Sequence, residues 1–190
     1  MNDLDEILIH KIKAGDLDSF EKLVSRYQRK IFSFVYRMLV SEEDARDITQ
    51  EIFIQVFRSL ETFRGDAKFS TWIYRVASNK CLDFLHKNKK FRFYEPAAGW
   101  ETGEQPAGSP VKTDPESIYL REEKVRRVRR IIAGLPDKYR VALVLFHYED
   151  LTYHQIAETL DIPVKTVATR LYRAKLILKE RLRGETDGLP

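Results

Sequence analysis

A segment rich in proline and glycine constrains the fold most strongly, because it divides an otherwise helical chain of 190 residues into two halves. Residues 95–115 contain four prolines and three glycines, with only Trp100 and Val111 as larger apolar side chains. Such a segment cannot bury enough apolar surface to offset the entropy of ordering it. We therefore predict a flexible linker here, with a folded unit on either side.

Apolar residues on both sides of the linker repeat at helical spacing and do not alternate as they do in strands. One such stripe consists of Ala45, Ile48, Ile52, Val56 and Leu60. Ser41, Ser70 and Thr152 are expected to be helix N-caps, since each is a short polar residue at the start of an apolar pattern. The helix after Ser70 is predicted over residues 71–87. After the linker we predict helices over residues 118–133, 137–147, 153–160 and 164–183. The sequence thus predicts an all-α fold of two small helical domains.

The net charge of +4 is unevenly distributed along the chain. Residues 1–63 have a balance of −3, whereas residues 64–92 have +6 and residues 161–183 have +5. Two separate basic segments indicate two contacts with a polyanion. Charge alone is equally compatible with solvated helix faces. The motifs within these segments are therefore needed to distinguish polyanion binding from an ordinary solvated surface.

Several classes of protein are disfavoured by what the sequence lacks. No run of about eighteen apolar residues occurs, and the first thirty residues hold no apolar signal core, so we expect a cytoplasmic protein without direct membrane insertion. The single Cys81 cannot form an internal disulfide. There is no phosphate-binding glycine-rich loop, and the four histidines show no metal-ligand spacing, so we expect no metal, no cofactor and no enzymatic activity.

Residues 152–175 have the pattern of a helix-turn-helix motif. Ala157 provides the small residue that the motif needs where its second helix crosses the first, and Pro163 precedes that second helix. Its outward face is polar and basic, as reading of the major groove requires. This face consists of Lys165, Thr166, Ala168, Thr169, Arg170, Tyr172 and Arg173. An ordinary helical hairpin with a basic face is the alternative.

Aromatic residues are interspersed among the basic residues of the first basic segment, over residues 63–94. They are Phe63, Phe69, Trp72, Tyr74, Phe84, Phe91, Phe93 and Tyr94. Aromatic rings stack on unpaired bases while lysine and arginine neutralise phosphates, so this combination is typical of a protein that holds single-stranded DNA or an extruded base. Any single aromatic residue among them fits the hydrophobic core equally well.

Two segments together resemble the sigma factors of bacterial RNA polymerase, in the extracytoplasmic-function (ECF) group. Region 2 of that group is similar to residues 44–85, DARDITQEIFIQVFRSLETFRGDAKFSTWIYRVASNKCLDFL, and region 4 to residues 135–175, LPDKYRVALVLFHYEDLTYHQIAETLDIPVKTVATRLYRAK. They occur in the family's order with no region 3 between them. The resemblance implies a region 2 domain at 1–95, a flexible linker at 96–117, a region 4 domain at 118–183 and a tail at 184–190.

The resemblance also implies roles for individual residues. Asp47, Gln50 and Glu51 match the D-x-x-Q-E pattern through which region 2 binds the clamp helices of the polymerase β′ subunit. A loop beginning at Phe63 resembles the segment that captures a flipped base of the −10 promoter element. The −10 contacts implied are Ser59, Phe63, Arg64, Gly65, Phe69, Trp72, Arg75, Val76, Asn79, Lys80 and Asp83. The −35 contacts are the outward residues of the second motif helix and Lys175.

The implied function is to bind core polymerase, including the β flap, to recognise −35 and −10 elements and to assist promoter melting. The implied partners are core polymerase, promoter DNA and an anti-sigma factor, in a response to stress. Ala168-Thr169 and Lys165 depart from the family, which often has Arg or Lys followed by Ser, and Gly, at these positions. Promoter specificity is therefore not carried over. Two rival functions remain: a helix-turn-helix regulator acting without being a polymerase subunit, and a protein-binding helical adaptor.

Overall fold

The computed structural model describes residues 3–88, 123 and 127–186, and all of its regular structure there is helical. The helices are α1 (Asp3–Lys13), α2 (Leu17–Leu39), α3 (Glu42–Ser59), α4 (Phe69–Lys87), α5 (residues 127–133), α6 (Asp137–His147), α7 (Tyr153–Leu160) and α8 (Val164–Thr186), with a 3-10 turn at Leu60–Thr62. The all-α prediction is confirmed. The predicted linker at 96–117 and most of residues 118–126 lie outside the described residues.

Short polar side chains cap the helices of the first half. Asp16 accepts a hydrogen bond from the backbone N–H of Ser19, and Ser41, the predicted cap, accepts one from Asp44 at 3.2 Å. Each bond satisfies one of the N–H groups that a helix start leaves without an intrahelical partner. Between α1 and α2 the chain turns at Gly15 with φ +94°, a conformation that favours glycine.

The predicted cap at Ser70 is wrong. Helix α4 begins at Phe69, two residues before the predicted start at residue 71, and its N-cap is Lys68, whose side chain forms no capping bond. Phe69 is only 4% exposed and packs edge-to-face on Tyr27 with a centroid distance of 5.2 Å. Burial of this large ring therefore fixes the helix start, in preference to the local capping signal.

The helix-turn-helix prediction is confirmed in the second half. Thr152 and Gln155 form a full capping box at the start of α7, and α7 ends at Asp161 in the left-handed conformation with φ +51°. The backbone N–H of Ile162 then donates to the Ala157 carbonyl at 3.1 Å, which closes the turn before α8. Ile156, at the centre of α7, is fully buried.

The two halves pack directly on each other, which the sequence does not predict. Helix α6 lies against α2, and α7 lies against α4. Buried residues of both halves, from Leu8 to Leu171, belong to one continuous apolar core. The guanidinium of Arg140 on α6, 3% exposed, donates to the main-chain carbonyl of Met38 on α2. Among the helices described here, none combines the length and the hydropathy needed to cross a membrane.

Candidate polymerase and promoter interface

Helix α3 presents an exposed polar face opposite its buried stripe. Asp47, Gln50 and Glu51 are all exposed, and their spacing of three and four residues places them on one side of the helix. The opposite side buries Ala45, Ile48, Ile52 and Val56 against the core. The structure therefore brings the predicted polymerase-binding residues together on a surface that a partner can reach.

Glu51 also forms an ion pair within the chain. Its carboxylate lies 3.1 Å from the ammonium of Lys80 on α4, although the sequence assigned Glu51 to polymerase binding and Lys80 to the −10 element. Both side chains are partly solvent-exposed, so the pair adds little to stability. The ion pair connects the predicted polymerase-binding face of α3 to the predicted DNA-binding helix α4.

An aromatic cluster supports the loop between the 3-10 turn and α4. Phe63 packs on Phe69 at 5.9 Å and on Trp72 at 5.2 Å between ring centroids, and both Phe63 and Trp72 remain half-buried. Gly65 has φ +80° at the exposed tip, where Arg64 is also exposed. The half-buried rings are available to stack on a base, whereas Phe69 beneath them is not.

The predicted −10 contacts on α4 fall into two groups. Arg75, Asn79 and Asp83 are exposed, whereas Val76 is only 9% exposed. Ser59, at the end of α3, is half-buried, and its hydroxyl donates to the Gln55 carbonyl at 2.6 Å. In this conformation Phe69 and Val76, both predicted −10 contacts, belong to the core, whereas Arg75, Asn79 and Asp83 are accessible to a partner.

A cluster of polar residues between the two halves was missed by sequence reasoning. The hydroxyl of Tyr74 on α4 donates to the Glu149 carboxylate, and the Arg37 guanidinium of α2 lies 3.7 Å from the same carboxylate. Burial raises the pKa of Glu149, and the Tyr74 hydrogen bond and the Arg37 charge oppose that rise. Burial, reinforced by the Glu149 charge, raises the pKa of Tyr74 well above its usual range. No local sequence pattern connects these residues, which are distant along the chain.

A second contact connects the two predicted DNA-binding elements. The guanidinium of Arg75 on α4 lies 3.6 Å from the carboxylate of Asp161, in the turn of the helix-turn-helix motif. Helix α7 packs on the same helix α4. In this arrangement the second half covers part of the surface that the sequence assigns to the −10 element.

The outward face of α8 is accessible as predicted. Thr166 and Arg170 are half-buried, and the remaining candidates are exposed, namely Lys165, Ala168, Thr169, Tyr172, Arg173 and Lys175. The Thr169 hydroxyl donates to the Lys165 carbonyl of its own helix at 2.9 Å, so that proton is already used.

Arg173 and Lys175 have aromatic neighbours on α6. Arg173 donates to the Tyr139 hydroxyl at 3.3 Å, and this hydrogen bond lowers the pKa of Tyr139. The ammonium of Lys175 lies 6.0 Å from the centre of the Phe146 ring. The guanidinium of Arg173 keeps further donors for a base or phosphate, because arginine has five N–H groups.

The described residues contain no group of three or more His, Cys, Asp or Glu side chains that could hold a metal ion. Cys81 is buried, and burial raises the pKa of its thiol well above the usual range. The thiol is therefore a poor nucleophile at neutral pH.

Both halves of the chain match regions of the same known protein family. The family description "Sigma-70 region 2" matches residues 23–91, and "Sigma-70, region 4" matches residues 126–178. The ECF RNA polymerase sigma factor SigW of Bacillus subtilis is 38% identical over 178 residues, which cover 92% of this chain and 95% of that protein. The ECF RNA polymerase sigma-E factor of Escherichia coli K12 is 36% identical over 173 residues, which cover 90% of each chain.

Solved structures have the same fold over nearly the whole chain. CnrH in complex with the cytosolic domain of CnrY gives a TM-score of 0.70 at 22% identity, covering 95% of this chain and 98% of that one. RpoE in complex with the anti-sigma factor NepR from Bartonella quintana gives 0.62 at 14% identity, covering 86% and 96%.

Two helical units, the second of which contains a helix-turn-helix, define an all-α DNA-binding protein. With both regions matched along one chain, it belongs to the ECF group of RNA polymerase sigma factors. It is a transcription initiation factor that acts with core RNA polymerase on promoter DNA.

Proposed function

We propose that the first half binds core polymerase through Asp47, Gln50 and Glu51 and the second half contacts the β flap. The observation that carries this proposal is the exposed polar face of α3, which forms no part of the core. Acidic and amide side chains on one helix face suit the clamp helices of the β′ subunit. The protein acts in the cytoplasm, where polymerase and DNA are found, and it catalyses no reaction of its own.

The −10 element is contacted by the Phe63 loop and the exposed side of α4. A flipped base stacks on the half-buried Phe63 and Trp72, between the Ser59 and Asn79 side chains, while Arg75 approaches phosphate. Unstacking a base costs a few kcal/mol, which ring stacking and phosphate neutralisation offset. Promoter melting then requires no nucleotide hydrolysis.

The −35 element is read in the major groove by the outward face of α8. Arg173 is the expected guanine reader, since arginine is the commonest bidentate partner of that base. Thr169 contributes its methyl group or accepts a hydrogen bond, because its proton is donated within the helix.

The two halves separate when the holoenzyme binds a promoter. The −35 and −10 elements lie about 25 base pairs apart, or about 85 Å at 3.4 Å per base pair. A compact chain of 190 residues has a radius of gyration of about 16 Å and cannot contact both. The Arg75–Asp161 and Tyr74–Glu149 contacts are therefore broken in the transcribing state, and the region around 96–117 serves as the linker.

An anti-sigma factor controls the protein, as part of a response to stress. RpoE was solved with the anti-sigma factor NepR, and CnrH with the cytosolic domain of CnrY. A partner of this kind stabilises the packed arrangement of the two halves and keeps the protein from core polymerase.

A binding assay with core polymerase tests the proposal and separates it from a regulator that acts without polymerase. The chain should bind purified core polymerase, and Asp47→Ala with Gln50→Ala should weaken binding by at least tenfold. The matched control is Glu21→Ala with Gln28→Ala, which removes an exposed acid and an exposed amide from α2. No binding by the unaltered chain, or equal loss in both double variants, would contradict the proposal.

A further inference from the structure

Helix α1 has no role in the proposed contacts, yet its last residue, Lys13, forms hydrogen bonds at the start of the loop of residues 63–68, here called the −10 loop. The ammonium of Lys13 donates to the main-chain carbonyl of Phe63 at 2.7 Å and lies 3.4 Å from that of Glu61. An ammonium has three donors and can serve both carbonyls at once. A charged donor makes a stronger hydrogen bond than a neutral one, so Lys13 restrains the backbone on both sides of Thr62.

The first turn of α1 is connected to the same aromatic cluster through Tyr27. The Asp5 carboxylate, 3% exposed, accepts a hydrogen bond from the Tyr27 hydroxyl at 2.6 Å and pairs with Arg26 at 3.2 Å. The Tyr27 ring in turn packs edge-to-face on Phe69. Burial and the bond to Asp5 raise the pKa of Tyr27 above its usual range, so its hydroxyl remains a donor at neutral pH.

The two contacts restrain different parts of one structure. Lys13 holds the carbonyl of Phe63, whose ring is exposed enough to meet a base, and Asp5 acts through Tyr27 on the buried Phe69 beneath that ring. We propose that α1 positions the −10 loop, and that Lys13 is a positioning residue for recognition of the captured base. This inference rests on the proposed function of the Phe63 loop.

The hydrogen bonds of Lys13 predict that base selectivity, and not phosphate neutralisation, depends on this residue. Its ammonium is directed at main-chain carbonyls, so its loss should leave phosphate neutralisation largely intact. A loop that is less restrained loses binding energy where geometry matters most, in the fit of the extruded base. Removing the Lys13 donor should therefore lower selectivity between bases at the captured position and leave the salt dependence of binding unchanged.

The experiment uses holoenzyme and single-stranded oligonucleotides. The −10 sequence preferred by the unaltered protein is first selected from a randomised library, and affinities are then measured for it and for oligonucleotides substituted at each position. Lys13→Met should reduce selectivity at the captured base about fivefold, since the short hydrogen bond to the Phe63 carbonyl and the long one to the Glu61 carbonyl are both lost. Lys13→Arg, which keeps the donors, should retain most of it. Lys11→Met removes an exposed charge from the same helix and should have no effect.

Each outcome has a defined meaning. Reduced selectivity in Lys13→Met alone, with the thermal midpoint and −35 duplex binding unchanged, supports the inference. Unchanged selectivity, a loss shared with Lys11→Met, or a matching loss of −35 binding overturns it and leaves the proposed function intact. If the unaltered holoenzyme shows no base preference on single strands, the proposed −10 capture is wrong as well.

Discussion

Buried ionisable side chains at the contact between the two halves are each matched to a specific partner. Tyr74 donates to Glu149, Arg37 lies beside the same carboxylate, and Arg140 donates to the carbonyls of Met38 and Leu135. A buried charge or hydroxyl without a partner costs several kcal/mol, so these pairings specify one docking geometry.

Tyr74 predicts a loss of stability at alkaline pH. Its pKa is raised in the folded state, so the unfolded chain ionises this group first and binds fewer protons above about pH 10. Its contribution is fully present below that pH and is lost as pH rises. Urea unfolding between pH 8 and 11 should show a decline that Tyr74→Phe makes shallower, by up to about 1.4 kcal/mol per pH unit.

The exposed Tyr172 provides the control for this measurement. It is 64% exposed, and the free energy of unfolding of Tyr172→Phe should stay within about 0.5 kcal/mol of that of the unaltered chain. Identical profiles for Tyr74→Phe and the unaltered chain would show that Tyr74 is not buried beside Glu149.

Arg140 predicts a large cost when its side chain is made apolar. Arg140→Met removes the hydrogen bonds to the Met38 and Leu135 carbonyls and the ion pair with Asp137, so the free energy of unfolding should fall by about 3 kcal/mol. Arg58→Met, at an exposed site on α3, should change it by less than about 0.5 kcal/mol. Equal urea midpoints for the two variants would contradict the packing described.

At the scale of single elements, local sequence signals predicted most of what is observed. Ser41 and Thr152 cap α3 and α7, and α6 spans the predicted residues 137–147. Caps and apolar spacing act within a few residues, so the sequence displays them directly. The start of α4 was wrong because Phe69 is fixed by Tyr27, a contact between residues far apart in sequence.

The capping box of α7 can be tested directly. Thr152→Ala should lower the free energy of unfolding by about 1 kcal/mol, because the backbone N–H of Gln155 loses its acceptor. Ser25→Ala, an exposed position within α2, should be neutral or slightly stabilising. A Thr152→Ala variant as stable as the unaltered chain in urea would show that the box contributes nothing to α7.

At the scale of the molecule, the sequence predicted two helical halves but not the contact between them. That contact depends on Arg140 and Met38, which are 102 residues apart, and on α7 covering α4. Neither follows from spacing or capping. For the same reason the sequence placed Val76 and Phe69 at a DNA surface, whereas both are buried here. Asp47, Gln50 and Glu51 were implied by the family resemblance, and helical spacing explains why they lie together on one exposed face.

Separation of the halves predicts a change in distance on polymerase binding. Fluorophores on Gln28→Cys and Lys179→Cys, one in each half, should show high energy transfer in the free chain and low transfer in holoenzyme on a promoter. Cys81 is buried and should not react with the labels. A pair at Lys11→Cys and Gln28→Cys, both in the first half, should not change. Unchanged transfer in the first pair would mean that the halves stay docked during initiation.

The central claim is that this chain gives core polymerase its promoter specificity, and run-off transcription over a promoter library measures that property directly. With core polymerase and this chain, we expect transcripts from a subset of templates that share one −35 and one −10 sequence. Core polymerase alone should not select that subset, and Arg173→Ala should relax its −35 preference. Failure of the chain to change which templates core polymerase transcribes would contradict the account.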